Sequence, residues 1–344
     1  MSNPALRIVG MPGSPYSRKL RAVLRYRRIP HRWVLQRSPE GRDLPQPKVQ
    51  LLPQLVSASG PGGALEARID STPLLRELEY EYLGREIVPS DPAIAFLDAL
   101  LEDYADEWLT KAMFHYRWSY EADIARAAAI LPRWGQTAQT EEQARAMGEL
   151  FSKRQIDRLW VVGSNETTRE LIEASYLRLL ALLDARLVES RFVMGGRPGA
   201  SDFGLYGQLT QLVGFDPTPS ALALELAPRV VAWVDFMEDL SGVEPEAEWF
   251  SRDALPATFR ALLCEAGRVY APFLLANAAA LASGSDQVEC TIDGQPWTQR
   301  PFPYQGKCLE WLRADHARLG PDDQRAVDES LAGTGLEALF AQSS

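Results

Sequence analysis

The sequence predicts an α/β domain followed by a mostly helical region, and two observations support this prediction. The segment Pro89-Ser90-Asp91-Pro92 is rich in turn-forming residues and marks a linker. Before it, short apolar strand candidates alternate with helix candidates, whereas the pattern after it is nearly all helical. A chain of 344 residues is also long enough to hold more than one core. We therefore expect a first domain over residues 1–88, a helical domain over 92–245 and a mostly helical extension over 246–344.

Composition narrows the class of protein. Hydrophobic residues make up 46% of the chain, which together with mixed charges indicates a folded soluble protein. The net charge of −10 argues against general binding to nucleic acids or anionic membranes. No apolar run is long enough to span a bilayer and no signal-peptide pattern opens the chain, so we expect a cytoplasmic protein. The three cysteines and three histidines show no metal-ligand spacing, and we expect no metal.

The first element is a strand candidate over Leu6–Gly10 that leads through a short turn into a basic helix. Ser14 stands at this strand-to-helix turn, where backbone N–H groups are unpaired and the helix dipole is positive. Such a place can hold an anion or a thiolate. Pro15 fits the first helical position, because its missing N–H costs nothing there. The alternative is that Ser14 only caps its helix, as serines before helices commonly do.

Two further segments support a binding site for an anionic ligand in the first domain. Residues 51–56 indicate a strand with Pro53 near its start, where a proline is tolerated. Residues 64–79 indicate a strand that runs into Asp70-Ser71 and then a helix. Asp70 or Ser71 can cap that helix, and its free N–H groups again suit an anionic ligand.

Taken in this order, the three segments resemble the glutathione-binding domain of the cytosolic glutathione transferases. The resemblance extends over about residues 5–245. It implies an α/β thioredoxin-like N-terminal domain plus an all-α glutathione-transferase C-terminal domain, followed by an atypical C-terminal extension. The segment Gly195–Leu209 resembles the capping motif of the helical domain, with Gly199 in place of the usual Ser or Thr and Asp202 retained.

The same resemblance implies roles for individual residues. Ser14 stands where the family keeps a catalytic serine or cysteine, and Leu52-Pro53 stand at its cis-proline step beside the cysteinyl part of glutathione. Asp70-Ser71 stand where the family has an acidic residue followed by serine, the pair that binds the γ-glutamyl amine and carboxylate of glutathione. Arg37 and Lys48 are two candidates for the contact with the glycyl carboxylate.

Thiol activation by Ser14 is energetically reasonable. Lowering a free thiol pKa of ~8.5 by about two units requires roughly 2.7 kcal/mol. One hydrogen bond to a charged group supplies roughly 1.5–3 kcal/mol and a helix N-terminus roughly 0.3–1 kcal/mol. Tyr16 is the rival donor, although packing is its more usual role, and Ser17 lies deeper in the helix.

The second-substrate pocket is expected between the two domains, where concave apolar sites form. The helix after the linker offers Tyr104 and Trp108 one turn apart and Tyr116 further on. Aromatic residues at this spacing are also typical of a helical core.

In the extension, the sequence predicts a long helix over 255–282 with a candidate break at Pro272. A β-hairpin with an Asp293-Gly294 turn and two more helices, 303–319 and 321–331, follow. The extension is either a packing appendage or an aromatic segment that folds back to close the substrate cleft, with Trp297, Phe302, Tyr304 and Trp311 as its aromatic residues.

The leading hypothesis is a homodimeric glutathione transferase of the detoxification type. Its co-substrate glutathione would attack a small hydrophobic electrophile. One alternative is a transferase-like binding or scaffold protein with little activity, which the long extension suggests. The other is a glutathione-dependent thiol reductase, which is less favoured because Ser14 cannot form a mixed disulfide.

Overall fold

The computed structural model describes residues 6–245 and 248–341. A four-stranded mixed sheet with strand order β2-β1-β3-β4 forms the N-terminal domain. Strand β1 pairs in parallel with β2 and antiparallel with β3, and β3 pairs antiparallel with β4. The elements of this domain are β1 (Leu6–Gly10), α1 (Pro15–Tyr26), β2 (His31–Leu35), α2 (Pro39–Arg42), β3 (Gln54–Ser57), β4 (Glu66–Ile69) and α3 (Ser71–Glu81).

The register of this sheet decides where its loops meet. Val9 of β1 lies opposite Gln54 of β3, and Gln54 lies opposite Ile69 of β4. Because β3 runs against its two neighbours, the end of β1, the start of β3 and the end of β4 lie at one edge of the sheet. Neighbouring strands are about 4.8 Å apart, so the segments that follow these positions are adjacent.

The helical domain follows the linker, as the change of sequence pattern predicts. Its first helix, α4 (Pro92–Tyr104), continues through one π-helical turn, Ala105–Leu109, into α5 (Thr110–Ser119). Such turns occur often at functional sites. The remaining helices are α6 (Glu121–Gly135), α7 (Glu141–Ile156), α8 (Arg169–Glu189), α9 (Ala200–Leu212), α10 (Pro217–Leu226) and α11 (Pro228–Met237).

Gly199 before α9 lacks a capping side chain, and a neighbouring helix supplies one. Asp98 of α4 accepts hydrogen bonds from the backbone N–H groups of Ala200 and Ser201, both at 2.9 Å. A Cβ at Gly199 would lie 2.5 Å from Asp98 Oδ1, so this cap requires glycine. Asp202 accepts from the N–H groups of Gly199 and Val193 at 2.9 and 2.7 Å, which supports its structural interpretation.

Helices α1 and α9 join the two domains at close range. A Cβ at Gly207 of α9 would lie only 2.7 Å from the Pro15 carbonyl oxygen. Leu20, Val23 and Leu24 of α1 are fully buried and belong to the same hydrophobic core as the sheet. The first turn of α1 is therefore set in place by both domains.

The extension contains the predicted helices and hairpin. Its elements are α12 (Ala257–Ser283), β5 (Val288–Ile292), β6 (Gln295–Gln299), α13 (Pro303–Arg318) and α14 (Pro321–Leu331). The candidate break at Pro272 is absent, because α12 is continuous through this residue. Burial of Ala271, Phe273 and Leu274 against the core offsets the roughly 3 kcal/mol that an interior proline costs. Asp293 and Gly294 both have positive φ, as the hairpin turn requires.

The extension packs on the helical domain. Helix α12 contacts α8, and α12, α13 and α14 all contact α4. Trp297 of β6 is buried against Trp108 and Phe273, with ring centroids 5.2 and 5.9 Å away. Across the described ranges, no helix is long and apolar enough to cross a membrane.

Candidate active site

Ser14 lies between β1 and α1 with extended backbone angles and a half-buried side chain. Its Oγ accepts a hydrogen bond from the N–H of Ser17 at 3.3 Å, so the residue does cap its helix. A hydroxyl has two acceptor positions and one proton to donate. Capping uses an acceptor position only, and the proton stays available for a ligand.

The turn before Ser14 is held by side chains of the helical domain. Gln211 Nε2 donates to the Pro12 carbonyl at 3.1 Å, and Arg117 Nη1 donates to the Gly13 carbonyl at 3.3 Å. Arg117 is itself buried and paired with Asp216, with Nη2 and Oδ2 2.8 Å apart. Sequence reasoning missed this support, for which the arginine between Tyr116 and Trp118 was the available signal.

The two rival donors point elsewhere. The Tyr16 hydroxyl donates to the Asp106 carbonyl at 2.8 Å, which commits it to the helical domain. Burial and two nearby carboxylates raise the pKa of Tyr16 well above its usual range. Ser17 is fully buried, and its Oγ lies 3.5 Å from the Met11 nitrogen on the inner side of the turn. Of the three hydroxyl groups, that of Ser14 is therefore the best placed to donate a hydrogen bond to a ligand.

Leu52-Pro53 directly precede β3, at the edge of the sheet where β1 ends. The peptide bond between them is cis. Pro53 is buried and Leu52 is half-buried. This segment therefore lies between the Ser14 turn and the end of β4.

Asp70-Ser71 directly follow β4 and open α3. Asp70 has φ 78°, a left-handed conformation that is uncommon for a residue other than glycine and that occurs often at functional sites. Its side chain does not cap α3; Oδ2 instead accepts a hydrogen bond from the Tyr304 hydroxyl at 2.8 Å. Ser71 is buried in the first turn. Within the described chain, no acceptor is found for the N–H groups of Ser71 and Thr72.

The two candidates for the glycyl contact are exposed. Arg37 lies beside the end of α6, because a Cβ at Gly135 would be 3.2 Å from Arg37 Cδ. Lys48 lies in the segment between α2 and β3. Neither has an ion-pair partner among the residues that the structure describes, so the geometry does not choose between them.

The three aromatic candidates for the second-substrate pocket lie in the core. Tyr104, Trp108 and Tyr116 are 1–2% exposed. Their rings pack against Tyr270 of α12, Trp297 of β6 and Tyr176 of α8, respectively. They therefore do not line an open cleft, and the extension is one reason, since it covers the face that carries the first two.

Other apolar side chains face the Ser14 turn. A Cβ at Gly13 would lie 2.7 Å from Leu131 Cδ2 and 3.1 Å from Trp134 Cζ3, which places both α6 residues against this turn. Both are half-buried, and Trp134 packs on Phe215 with centroids 4.7 Å apart. Sequence reasoning missed this apolar wall, because nothing in α6 indicates which of its faces meets the N-terminal domain.

A metal centre is not seen in the described part of the chain, where no group of three or more His, Cys, Asp or Glu side chains is arranged to hold an ion.

Two family models match the chain. The glutathione S-transferase N-terminal domain matches residues 8–86 and the glutathione S-transferase C-terminal domain matches residues 138–236. Together they cover just over half of the chain, and both fall on the domains described above. The chain belongs to the glutathione transferase family.

A search of curated proteins found no match to the chain. Several solved structures resemble it at low sequence identity. A glutathione transferase from Burkholderia graminis with two bound glutathione molecules is 17% identical, with a TM-score of 0.42 over 75% of this chain and 87% of that one. The Tau class glutathione S-transferase from mango, Mangifera indica, is 17% identical, with a TM-score of 0.40 over 76% of this chain and 97% of that one. Maleylacetoacetate isomerase from Anaeromyxobacter dehalogenans, with bound glutathione, is 16% identical, with a TM-score of 0.36 over 75% and 94%.

Proposed function

We propose that the protein is a glutathione transferase that activates glutathione as a thiolate for attack on a small apolar electrophile. The observation that carries the proposal is the register of the sheet. Val9, Gln54 and Ile69 lie side by side, so Ser14, Leu52-Pro53 and Asp70-Ser71 come from adjacent segments at one edge. These are the three segments that the family resemblance singles out.

Ser14 takes the chemical role in this proposal. Its hydroxyl donates to the glutathione sulfur, and the first turn of α1 adds its positive dipole. A hydrogen bond to a charged group is worth roughly 1.5–3 kcal/mol, enough to lower a thiol pKa by about one to two units. The thiol proton is released to solvent, and the thiolate then attacks the electrophilic carbon to form the thioether. The leaving group departs with the bonding electron pair, or, in an addition, the neighbouring carbon of the double bond takes up a proton from solvent.

The remaining contacts bind the two ends of glutathione. Asp70 pairs with the γ-glutamyl ammonium, and the free N–H groups at the start of α3 bind the adjacent carboxylate. The backbone at Leu52-Pro53 holds the cysteinyl part, and Arg37 or Lys48 meets the glycyl carboxylate.

The electrophile is proposed to lie against the apolar wall of Leu131 and Trp134. This wall adjoins the Ser14 turn, whereas Tyr104, Trp108 and Tyr116 are enclosed in the core. The homodimer stays a prediction that light scattering at micromolar concentration would test.

Isothermal titration with glutathione tests the proposal, with Asp70→Asn as the informative variant. We expect the wild type to bind and the variant to bind about tenfold to a hundredfold more weakly, because a charge-assisted contact is lost. The contact is made equally in the ground and transition states, so KM should rise with little change in kcat.

Asp43→Asn is the matched control, since Asp43 is an exposed carboxylate of the same domain. Failure of the wild type to bind millimolar glutathione would favour a binding or scaffold protein that has kept the fold.

A further inference from the structure

The C-terminal extension sends one phenol to the proposed glutathione site. Tyr304 is the second residue of α13, and its hydroxyl donates to Asp70 Oδ2 at 2.8 Å, across 234 positions of sequence. The ring packs edge-on against Trp311 with centroids 5.9 Å apart. A residue of the extension therefore reaches past the helical domain to the edge of the sheet.

Hydrogen bonds anchor the chain on both sides of Tyr304, at the Phe302 backbone and at the Gln305 side chain. Asn277, fully buried in α12, accepts from the Phe302 N–H at 2.8 Å and donates to the Phe302 carbonyl at 3.1 Å. On the other side, Gln305 Nε2 donates to the carbonyl and the carboxyl group of Glu107 at 3.2 and 3.1 Å. Tyr304 is thus held by a buried polar framework and does not sit on a loose loop.

Asp70 is a carboxylate that needs a partner to orient it. Its φ is positive, its side chain makes no capping hydrogen bond to α3, and its Oδ2 accepts a hydrogen bond from the Tyr304 hydroxyl. An ionised carboxylate has about four acceptor positions, so this bond leaves room for an ammonium ligand. Burial, followed by the Asp70 charge, raises the pKa of Tyr304, which keeps the phenol a proton donor.

We infer that Tyr304 is a positioning residue of the glutathione site, which orients the Asp70 carboxylate toward the γ-glutamyl ammonium. The inference rests on the proposed function and deepens it. The extension completes the substrate site from within the same chain, so its role goes beyond packing on the helical domain.

The test is isothermal titration of the full chain and of Tyr304→Phe with two probes, glutathione and N-acetylglutathione. A positioning hydrogen bond predicts about threefold to tenfold weaker binding of glutathione by the variant. N-acetylglutathione lacks the ammonium, so wild type and variant should bind it equally weakly.

Tyr270→Phe is the matched control. Tyr270 is another phenol of the extension that donates to a carboxylate, Asp103, at 2.6 Å, but it does not touch Asp70. The Tyr270→Phe variant should loosen the extension without changing the affinity for glutathione. In an Asp70→Asn background, Tyr304→Phe should have no further effect, whereas a general loosening would add to the loss.

The outcomes separate the two proposals. If the wild type binds glutathione and Tyr304→Phe binds it with equal or higher affinity, the inference is overturned and the proposed function stays intact. Equal losses for glutathione and N-acetylglutathione also overturn it, because the ammonium is then not involved. No binding of glutathione by the wild type overturns both.

Discussion

Helix α4 and its π-helical turn carry two pairs of acidic residues on two adjacent faces, and each face meets a different kind of partner. Glu102 and Asp106 face the N-terminal domain, where Lys19 forms ion pairs with both, at 2.6 Å to Glu102. Asp103 and Glu107 face the extension, where Tyr270 and Gln305 donate uncharged hydrogen bonds.

The partners decide the charge on each face. Burial opposes ionisation of Glu102, but Lys19 and Arg76 outweigh it and lower its pKa to about 2. Burial and neighbouring carboxylates raise the pKa of Asp103 to about 7 and that of Glu107 to about 8, although the Lys111 charge opposes the shift of Glu107. Burial also raises the pKa of Asp106 to about 6, although Lys19 opposes this shift. The N-terminal domain is therefore docked by ion pairs to Lys19, and the extension by uncharged donors to carboxyl groups whose pKa values lie near neutrality.

Lys19→Met gives the largest expected effect, because it leaves two buried carboxylates without their shared cation. Breaking a buried ion pair from one side costs about 3–5 kcal/mol of the free energy of unfolding, which urea unfolding measures. Tyr270→Phe on the other face removes one neutral hydrogen bond and should cost about 1 kcal/mol. Similar losses for the two variants would contradict the proposed difference between the faces.

Glu107→Gln gives a smaller effect that depends on pH. Folding raises the pKa of Glu107 from 4.5 to about 8, so its contribution to stability is present at low pH and is lost as the pH rises toward about 8. The amide of the variant cannot ionise, so between about pH 5.5 and about pH 8 the variant should gain about 1–3 kcal/mol relative to the wild type.

Lys111 acts in the opposite direction, and the Glu107 charge partly opposes the lowering of the Lys111 pKa, so the variant and the wild type are compared at each pH. Burial lowers the pKa of Lys111 to about 7, and its contribution therefore increases as the pH rises above that value. Parallel stability curves for Glu107→Gln and the wild type would show that Glu107 is ionised in the folded protein.

Local signals were sufficient for much of the fold. β1 and α14 have the bounds that their patterns predict, and the hairpin turns at Asp293-Gly294 as expected. Three of the labelled elements were missed, namely β2, the four-residue helix α2 and α10. β2 is an edge strand without a fully buried residue, so its apolar periodicity is weak. The prolines at the start of α10 resemble a turn, although they also fit the first turn of a helix.

The non-local features of the site lay beyond sequence reasoning. That Asp98 caps α9, that Arg117 supports the Gly13 turn and that Tyr304 reaches Asp70 are consequences of packing between distant segments. Tyr104 and Trp108 illustrate the same limit. Their spacing is compatible with a pocket or with a core. Both side chains lie in the core because Tyr270 and Trp297 of the extension pack against them.

The most direct test of the central claim is the pKa of glutathione bound to the wild type and to Ser14→Ala, followed by the ultraviolet absorbance of the thiolate. We expect the wild type to lower the thiol pKa below the free value of ~8.5, and Ser14→Ala to raise it again by about one to two units. Thr140→Ala is the control, since Thr140 caps α7 through the Gln143 N–H at 3.2 Å, as Ser14 caps α1. A bound thiol that titrates near ~8.5 in the wild type, or equally in both proteins, would contradict the claim that Ser14 activates glutathione.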